Sequence, residues 1–294
     1  MKDFRDKVVA ITGAGSGIGR ALALNFAEKG ARLALSDVNF ASVAETVCLA
    51  EKLGAQAKAY TLDVADRDAV IAHAAEVRAD FGKVNVIVNN AGVAMGGSVE
   101  AMDWKDIDWI LNINFHGVIN GTKAFLPHLI ESGEGQIVNI SSVAGFVGAA
   151  FGSGYCTSKF GVRGFTECLR QELIAENKPV RATVVHPGGV RTNIAANPKA
   201  TDDPDTARKW FHRVAATSPE GAARIIVRGI RWNSPRILVG PDAYLIDLFP
   251  RILGGRYQDI LAWGTRFGLW FLTKSRFNTK RFGFDPEKFG IKMS

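Results

Sequence analysis

Between Lys7 and Val88 the chain alternates short runs of strand-forming residues with longer helical patterns, and this alternation restricts the fold more than any other feature. Lys7 to Thr12 reads as a buried strand, and Ile18 to Lys29 as a helix stopped by Gly30. Arg32 to Ser36 is a second strand, followed by a helix that reaches Gly54. A third strand ends at Leu62, a helix beginning near Asp66 stops at Gly82, and Val84 to Val88 is a fourth strand. Gly30, Gly54 and Gly82 stand where a helix turns back, the usual left-handed C-terminal position. Strands that alternate with helices at this spacing predict βαβ units around a parallel sheet.

The pattern continues through a strand at Gln136 to Ile140, a helix from about Ser153 to Glu176 and a strand at Val180 to Val185. An irregular polar stretch, Asn197 to Pro204, comes next. Ser218-Pro219-Glu220 then starts a further helix, with serine as N-cap and proline in the first turn. Arg236 to Val239 is the last strand. No internal repeat or low-complexity linker interrupts this, so residues 1–240 read as one domain and residues 241–294 as an extension.

Thr12-Gly13-Ala14-Gly15-Ser16-Gly17-Ile18-Gly19 lies between the first strand and the first helix. Small residues there let the backbone approach a pyrophosphate, and the helix N-terminus offers free N–H groups and a positive dipole end. Asp37 ends the second strand about twenty residues later, where a carboxylate can accept hydrogen bonds from ribose hydroxyls and repel a 2′-phosphate. Ser16, Val38 and Asn39 supply no cation for such a phosphate, so NAD is expected over NADP. Asp37 can also serve as a helix N-cap, and the two roles are compatible. Further along, Tyr155 and Lys159 are four residues apart, on one face of a helix. An ammonium held near a phenol lowers its pKa from about 10 toward the range useful for acid–base catalysis.

These segments resemble the short-chain dehydrogenase/reductase family, in that family's order, from residue 7 to about 240. The resemblance rests on Thr12 to Gly19, Asp63-Val64, Asn89-Asn90-Ala91-Gly92 and Asn114-Phe115-His116-Gly117. It extends through Ile140-Ser141-Ser142-Val143-Ala144-Gly145, the Tyr155/Lys159 pair and Pro187-Gly188-Gly189-Val190-Arg191-Thr192. It implies an α/β fold, a Rossmann-type doubly wound parallel sheet with helices on both faces. It also implies an NAD(P)-dependent oxidoreductase acting on CH–OH groups. By position, Gly13, Ser16, Gly17, Ile18, Gly19, Asp37, Asp63, Val64, Asn90, Ala91, Gly92, Pro187, Gly188, Val190 and Thr192 would hold the cofactor together with Tyr155 and Lys159. Tyr155 would exchange the proton with the substrate oxygen, Ser142 would hold that oxygen, and Lys159 would lower the Tyr155 pKa and bind the nicotinamide ribose. Asn114 would leave a main-chain carbonyl free for a water that links Lys159 to solvent. No metal is implied. The family's usual dimers or tetramers are expected.

The substrate should meet residues 93–99, 144–154 and 189–216. The second segment has no charged side chain, and the third places Trp210, Phe211 and Val214 in an expected lid helix. A bulky or hydrophobic secondary alcohol or ketone is therefore expected. A 3-oxoacyl-thioester reductase is the alternative enzyme, and a non-catalytic dinucleotide sensor or scaffold the alternative of another class. His116, His186, Cys156, Trp104 and Trp109 are read as packing residues.

The net charge of +7 is concentrated late in the chain: nine basic and five acidic residues after position 240 contribute +4 of it. Basicity therefore says little about the main body and does not point to nucleic acid. The extension interleaves those charges with aromatics from Phe249 to Phe289. Packing over the domain or across a subunit interface is the favoured reading, and peripheral membrane contact through the apolar run Gly268 to Leu272 is the other. No run approaches the roughly 18 apolar residues that a membrane span requires. With no apolar stretch in Met1 to Lys7 and three cysteines without metal-ligand spacing, the cytoplasm is expected.

Overall fold

The computed structural model describes residues 1–196, 209, 213 and 215–274. Seven parallel strands form one sheet: β1 (Val8–Thr12), β2 (Arg32–Asp37), β3 (Ala57–Thr61), β4 (Val86–Asn89), β5 (Gly135–Ile140), β6 (Val180–Pro187) and β7 (Arg236–Val239). Their spatial order is β3-β2-β1-β4-β5-β6-β7. The order reverses beside β1, which pairs with both β2 and β4. A doubly wound sheet opens a crevice at that reversal, beyond the carboxyl ends of its strands.

Successive residues of a strand point to opposite faces, so each strand feeds two cores. Val9 and Ile11 of β1 pack on one face with α1 (Gly17–Ala27), α2 (Phe40–Lys52) and α7 (Pro219–Arg231), through Leu22, Phe26, Val43, Ile226 and Ile230. Val8 and Ala10 pack on the other face with α3 (Arg67–Phe81), α5 (Gly117–Glu131) and α6 (Ser153–Ala175), through Val77, Phe81, Phe125, Leu129, Leu169 and Leu173. Every β1 residue is buried, which is why the strand reads as a continuous apolar run. Each fully buried leucine or phenylalanine contributes roughly 1.5–3 kcal/mol relative to an exposed one.

Gly82 takes φ +76° at the C-cap of α3 and donates to the Arg78 carbonyl, as the sequence predicts. The helix predicted from Ser218 is α7, whose N-cap hydroxyl accepts from the Gly221 N–H at 3.0 Å. β6 runs two residues past its expected end because β7 pairs with it through Pro187. Between β4 and β5, α4 (Trp104–Leu111) continues through a π-helical turn, Asn112–His116, into α5. After β7 the chain forms α8 (Pro241–Leu253) and α9 (Tyr257–Lys274). Among the described residues, no helix is long and apolar enough to cross a membrane.

Candidate active site

A cleft of about 1100 Å³ opens along the carboxyl ends of the strands, at the reversal of strand order. Its floor begins with the turn from β1 into α1. Gly13 and Gly17 there have φ values of +64° and +54°, which residues with a Cβ rarely adopt. Asn90 holds the turn in place: its Nδ2 donates to the Thr12 and Gly13 carbonyls at 2.9 and 3.0 Å. The N–H groups of Asn90 and Ala91 donate in return to the Thr12 hydroxyl. Ser16, the N-cap of α1, makes no side-chain capping bond, so first-turn amides of α1 remain available to an anion.

Gly13, Ser16, Gly17, Ile18, Asp37, Asp63, Val64, Asn90, Ala91 and Gly92 all line the cleft. Gly19 does not; it lies beneath Gly13, where a Cβ would overlap the Gly13 carbonyl oxygen. The Asp37 carboxylate accepts from Gly15 N–H and Asn39 N–H, both at 2.9 Å. It does not cap α2: Asn39 does, accepting from Ser42 N–H at 3.1 Å. The nearby guanidinium of Arg20 is engaged by Glu45 at 2.6 Å, the Gly15 carbonyl at 2.7 Å and Thr46 at 3.0 Å. Asp63 also lies at the rim, where it accepts from Ala65 N–H.

The opposite wall is the segment after β6. Pro187, Gly188, Gly189, Val190 and Thr192 line the cleft, and Val190 forms a bridge with Thr217. Gly188 N–H donates to the Val239 carbonyl at 2.9 Å and Arg191 N–H to the Thr217 carbonyl at 2.9 Å. Backbone bonds to β7 and to the approach to α7 thus give the segment its shape.

Ser142, Tyr155 and Lys159 converge between these walls. Ser142 follows β5, and its hydroxyl, which accepts from Ala144 N–H at 3.2 Å, lies beside the Tyr155 phenol. Ser141 points elsewhere, donating to the Lys159 carbonyl at 2.8 Å. Asn114 is fully buried in the π turn and pairs with the Val93 backbone through Oδ1 (2.8 Å) and Nδ2 (2.9 Å). Burial pushes the Tyr155 phenol up from its ordinary value, and the Ser142 hydroxyl opposes this. The sequence predicts that Lys159 lowers that pKa, but the structure directs the ammonium elsewhere. Its Nζ donates to the Ile140 carbonyl at 3.1 Å and stands 5.7 Å from the tyrosine ring centre. Burial also lowers Lys159 itself, to about 8.

His186, read from the sequence as packing, touches the Ser142 backbone directly. Its Nδ1 lies 2.8 Å from the Ser142 carbonyl, which can only accept, so Nδ1 carries the proton. The ring stacks on Phe146 at 4.0 Å, and Arg163 and Arg236 also lie over Phe146. Burial lowers the His186 pKa to about 4, and burial lowers that of His73 likewise. An unfolded chain protonates both rings first as pH falls, near their ordinary value of about 6.5. Their contribution to stability is therefore full above pH about 6.5 and lost as pH falls toward 4. The slope is about 1.4 kcal/mol per pH unit for each ring. Thermal melts between pH 7 and 5 should show a falling Tm, and His73→Phe should remove about half of that slope. A Tm independent of pH over this range would contradict neutral, buried rings.

The cleft is further lined by the apolar residues Val93, Ala94, Trp109, Ile113, Val143, Ala144, Ile194 and Ile246, and by the polar Asn193 and Asp242. Trp109, read from the sequence as packing, lines the cleft, and Asp242 and Ile246 line it from outside the segments expected to border the substrate. Trp109 stands one turn before Ile113 on the same helix face, a spacing that could have flagged it. Asp242 and Ile246 come from α8, in the extension, and no local pattern points to them. Trp104, also read as packing, is 81% exposed. Trp210, Phe211 and Val214 of the expected lid lie outside the described residues.

Comparison with known proteins agrees with the fold. A family model described as short chain dehydrogenase matches residues 7–203. The putative oxidoreductase SadH of Mycobacterium tuberculosis is 52% identical over 90% of this chain and 97% of its own. Estradiol 17-beta-dehydrogenase 11 of Mus musculus is 32% identical over 88% of this chain and 84% of its own. Among solved structures, a short chain dehydrogenase/reductase from Burkholderia phymatum in complex with NAD superposes with a TM-score of 0.80. It is 29% identical and covers 86% of this chain and 95% of its own. Matched by the family model over two thirds of its length and by relatives along most of it, this protein belongs to the short chain dehydrogenase family of oxidoreductases.

Proposed function

We propose that the chain is an NAD-dependent oxidoreductase that interconverts a bulky, apolar secondary alcohol and its ketone. The observation that carries this is the convergence of Ser142, Tyr155 and Lys159 at the floor of a cleft whose substrate end is lined by Val93, Ala94, Trp109, Ile113, Val143 and Ala144. None of those six side chains carries charge, so a substrate there gains from apolar contact rather than ion pairing. The relative named for estradiol, a bulky secondary alcohol, supports the same substrate class.

The residues present fit a dinucleotide. The uncapped N-terminus of α1 suits the pyrophosphate. Asp37, already fixed by two backbone amides, would accept from the adenosine ribose hydroxyls. A 2′-phosphate would meet that carboxylate, while Arg20 is occupied by Glu45 and the loop carbonyl. The NAD complex of the Burkholderia relative supports the assignment. Asp63 and Val64 would border the adenine, Asn90, Ala91 and Gly92 the central portion, and Val190 and Thr192 the carboxamide. When bound, NAD supplies the hydride acceptor.

In the oxidative direction, Tyr155 Oη would take the hydroxyl proton of the alcohol, and in the reductive direction return it. Ser142 would hold the substrate oxygen in the same position in both directions. Lys159 would act as the nearest cation to the phenol and would bind the nicotinamide ribose, and Asn114 would keep the strand-end backbone at Val93 in place beside it. The substrate oxygen would thus lie between two hydroxyl groups whose positions β5 and α6 determine, and orientation of this kind lowers the barrier.

NADH formation across a panel of secondary alcohols graded by size and polarity tests the reading, with NADP run in parallel. Large apolar alcohols with NAD should give the highest kcat/KM. Asp37→Ser should lower kcat/KM with NAD by about tenfold or more, the worth of hydrogen bonds to a charged group, and improve NADP. Preference for small polar alcohols, or for NADP in the wild type, would overturn it.

A further inference from the structure

The helix that follows β7 reaches back to the active site with its second residue. Asp242 Oδ2 accepts a hydrogen bond from Gly189 N–H at 2.6 Å. A Cβ at Gly188 would collide with the same carboxylate, so the group rests directly on the loop backbone. Asp242 lines the cleft, yet its Oδ1 is buried with no hydrogen-bond partner among the described residues. No lysine or arginine among the described residues forms an ion pair with it. A half-buried carboxylate with one buried, unsatisfied oxygen is costly to keep, and a compensating positive charge would relieve that cost.

We propose that Asp242 is a positioning residue for the nicotinamide end of the site. It fixes the Gly188–Val190 backbone and sets a negative charge beside the ring that favours oxidised over reduced cofactor. The assignment rests on the NAD reading above. It follows from the chemistry of the two redox states: the oxidised ring is a cation and the reduced ring is neutral. A fixed carboxylate several ångströms away in a partly buried site attracts only the former, an effect on the order of tenfold in affinity. The adenosine half of the cofactor would be held at Asp37, at the end of β2, and would not meet this group.

The test is fluorescence titration of the full chain with NAD+, NADH and ADP-ribose, comparing wild type with Asp242→Asn and Asp242→Ala. NAD+ affinity should fall about tenfold in both variants, NADH affinity by about threefold or less, and ADP-ribose affinity should stay unchanged. Asparagine keeps the shape and an acceptor for Gly189, so it carries the test if the alanine variant fails to fold. Equal losses for NAD+ and NADH, equal losses for all three ligands, or no loss at all would overturn this assignment alone. A wild type that bound neither nucleotide would overturn the NAD reading and this assignment with it.

Discussion

Tyr155→Phe should lower kcat by about 10²–10⁴-fold, the usual worth of a positioned acid–base group, while the Kd for NAD changes little. The ring is half-buried beside Ser142, and phenylalanine fills the same space, so the fold should survive. What is lost is the hydroxyl that α6 contributes to the cleft. Steady-state kinetics with the best alcohol of the panel, paired with NAD titration, separate the two effects. Because burial raises the phenol pKa, oxidation by the wild type should climb with pH through the neutral and mildly alkaline range, as the base form becomes populated. Ketone reduction needs the protonated phenol, which predominates throughout that range, so it should change little with pH, and the variant should lose the oxidative dependence. Turnover unaffected by the substitution would refute the mechanism.

Gly19→Ala should be the most damaging single methyl group in the site. It would overlap the Gly13 carbonyl oxygen and come within 2.6 Å of Asn90 Nδ2, the group that donates to that same carbonyl. The backbone under the pyrophosphate must therefore move. Overpacking of this kind costs about 1–3 kcal/mol, and about 2–4 °C of Tm per kcal/mol in a chain of this size. NAD affinity should fall by at least about tenfold because the amides at the start of α1 lose their alignment. Gly164→Ala is the matched control: it lies exposed in α6 with nothing within 4 Å of the added methyl. Better helix propensity should leave that variant neutral or slightly stabilised. If calorimetry and NAD titration found the two variants alike, the turn would not be as tightly packed as described.

The extension bears on any truncation experiment. A chain ending at residue 240 would lose Asp242, which bonds Gly189, and Tyr257, whose hydroxyl accepts from Gly148 N–H at 3.3 Å. Its exposed apolar residues, Leu245, Ile252, Trp263 and Phe267 among them, belong to the same helices that carry those contacts. Substitution of the exposed residues is therefore a cleaner probe of what the extension meets than deletion of the segment.

Much of the fold and of the candidate site was legible in the chain because the signals involved are local. Strand runs, helix stops at Gly30, Gly54 and Gly82, and the α7 cap at Ser218 depend on residues within a few positions of one another. The glycine turn and the Tyr155/Lys159 pair are likewise defined over eight and five residues. The contacts that escaped it join distant segments: His186 to Ser142 across 44 positions, and Asp242 to Gly189 across 53. Electrostatics escaped it for a related reason. The Tyr155/Lys159 spacing pointed to a depressed phenol pKa, but burial raises it, and burial is a property of everything packed around the pair. By itself the sequence determined the order along the chain of the glycine turn, Asp37, Ser142, Tyr155 and Lys159, because each is encoded by near neighbours. Only the tertiary structure decided how those groups are held, charged and enclosed, because hydrogen bonding across the sheet and removal from water arise once distant segments pack together.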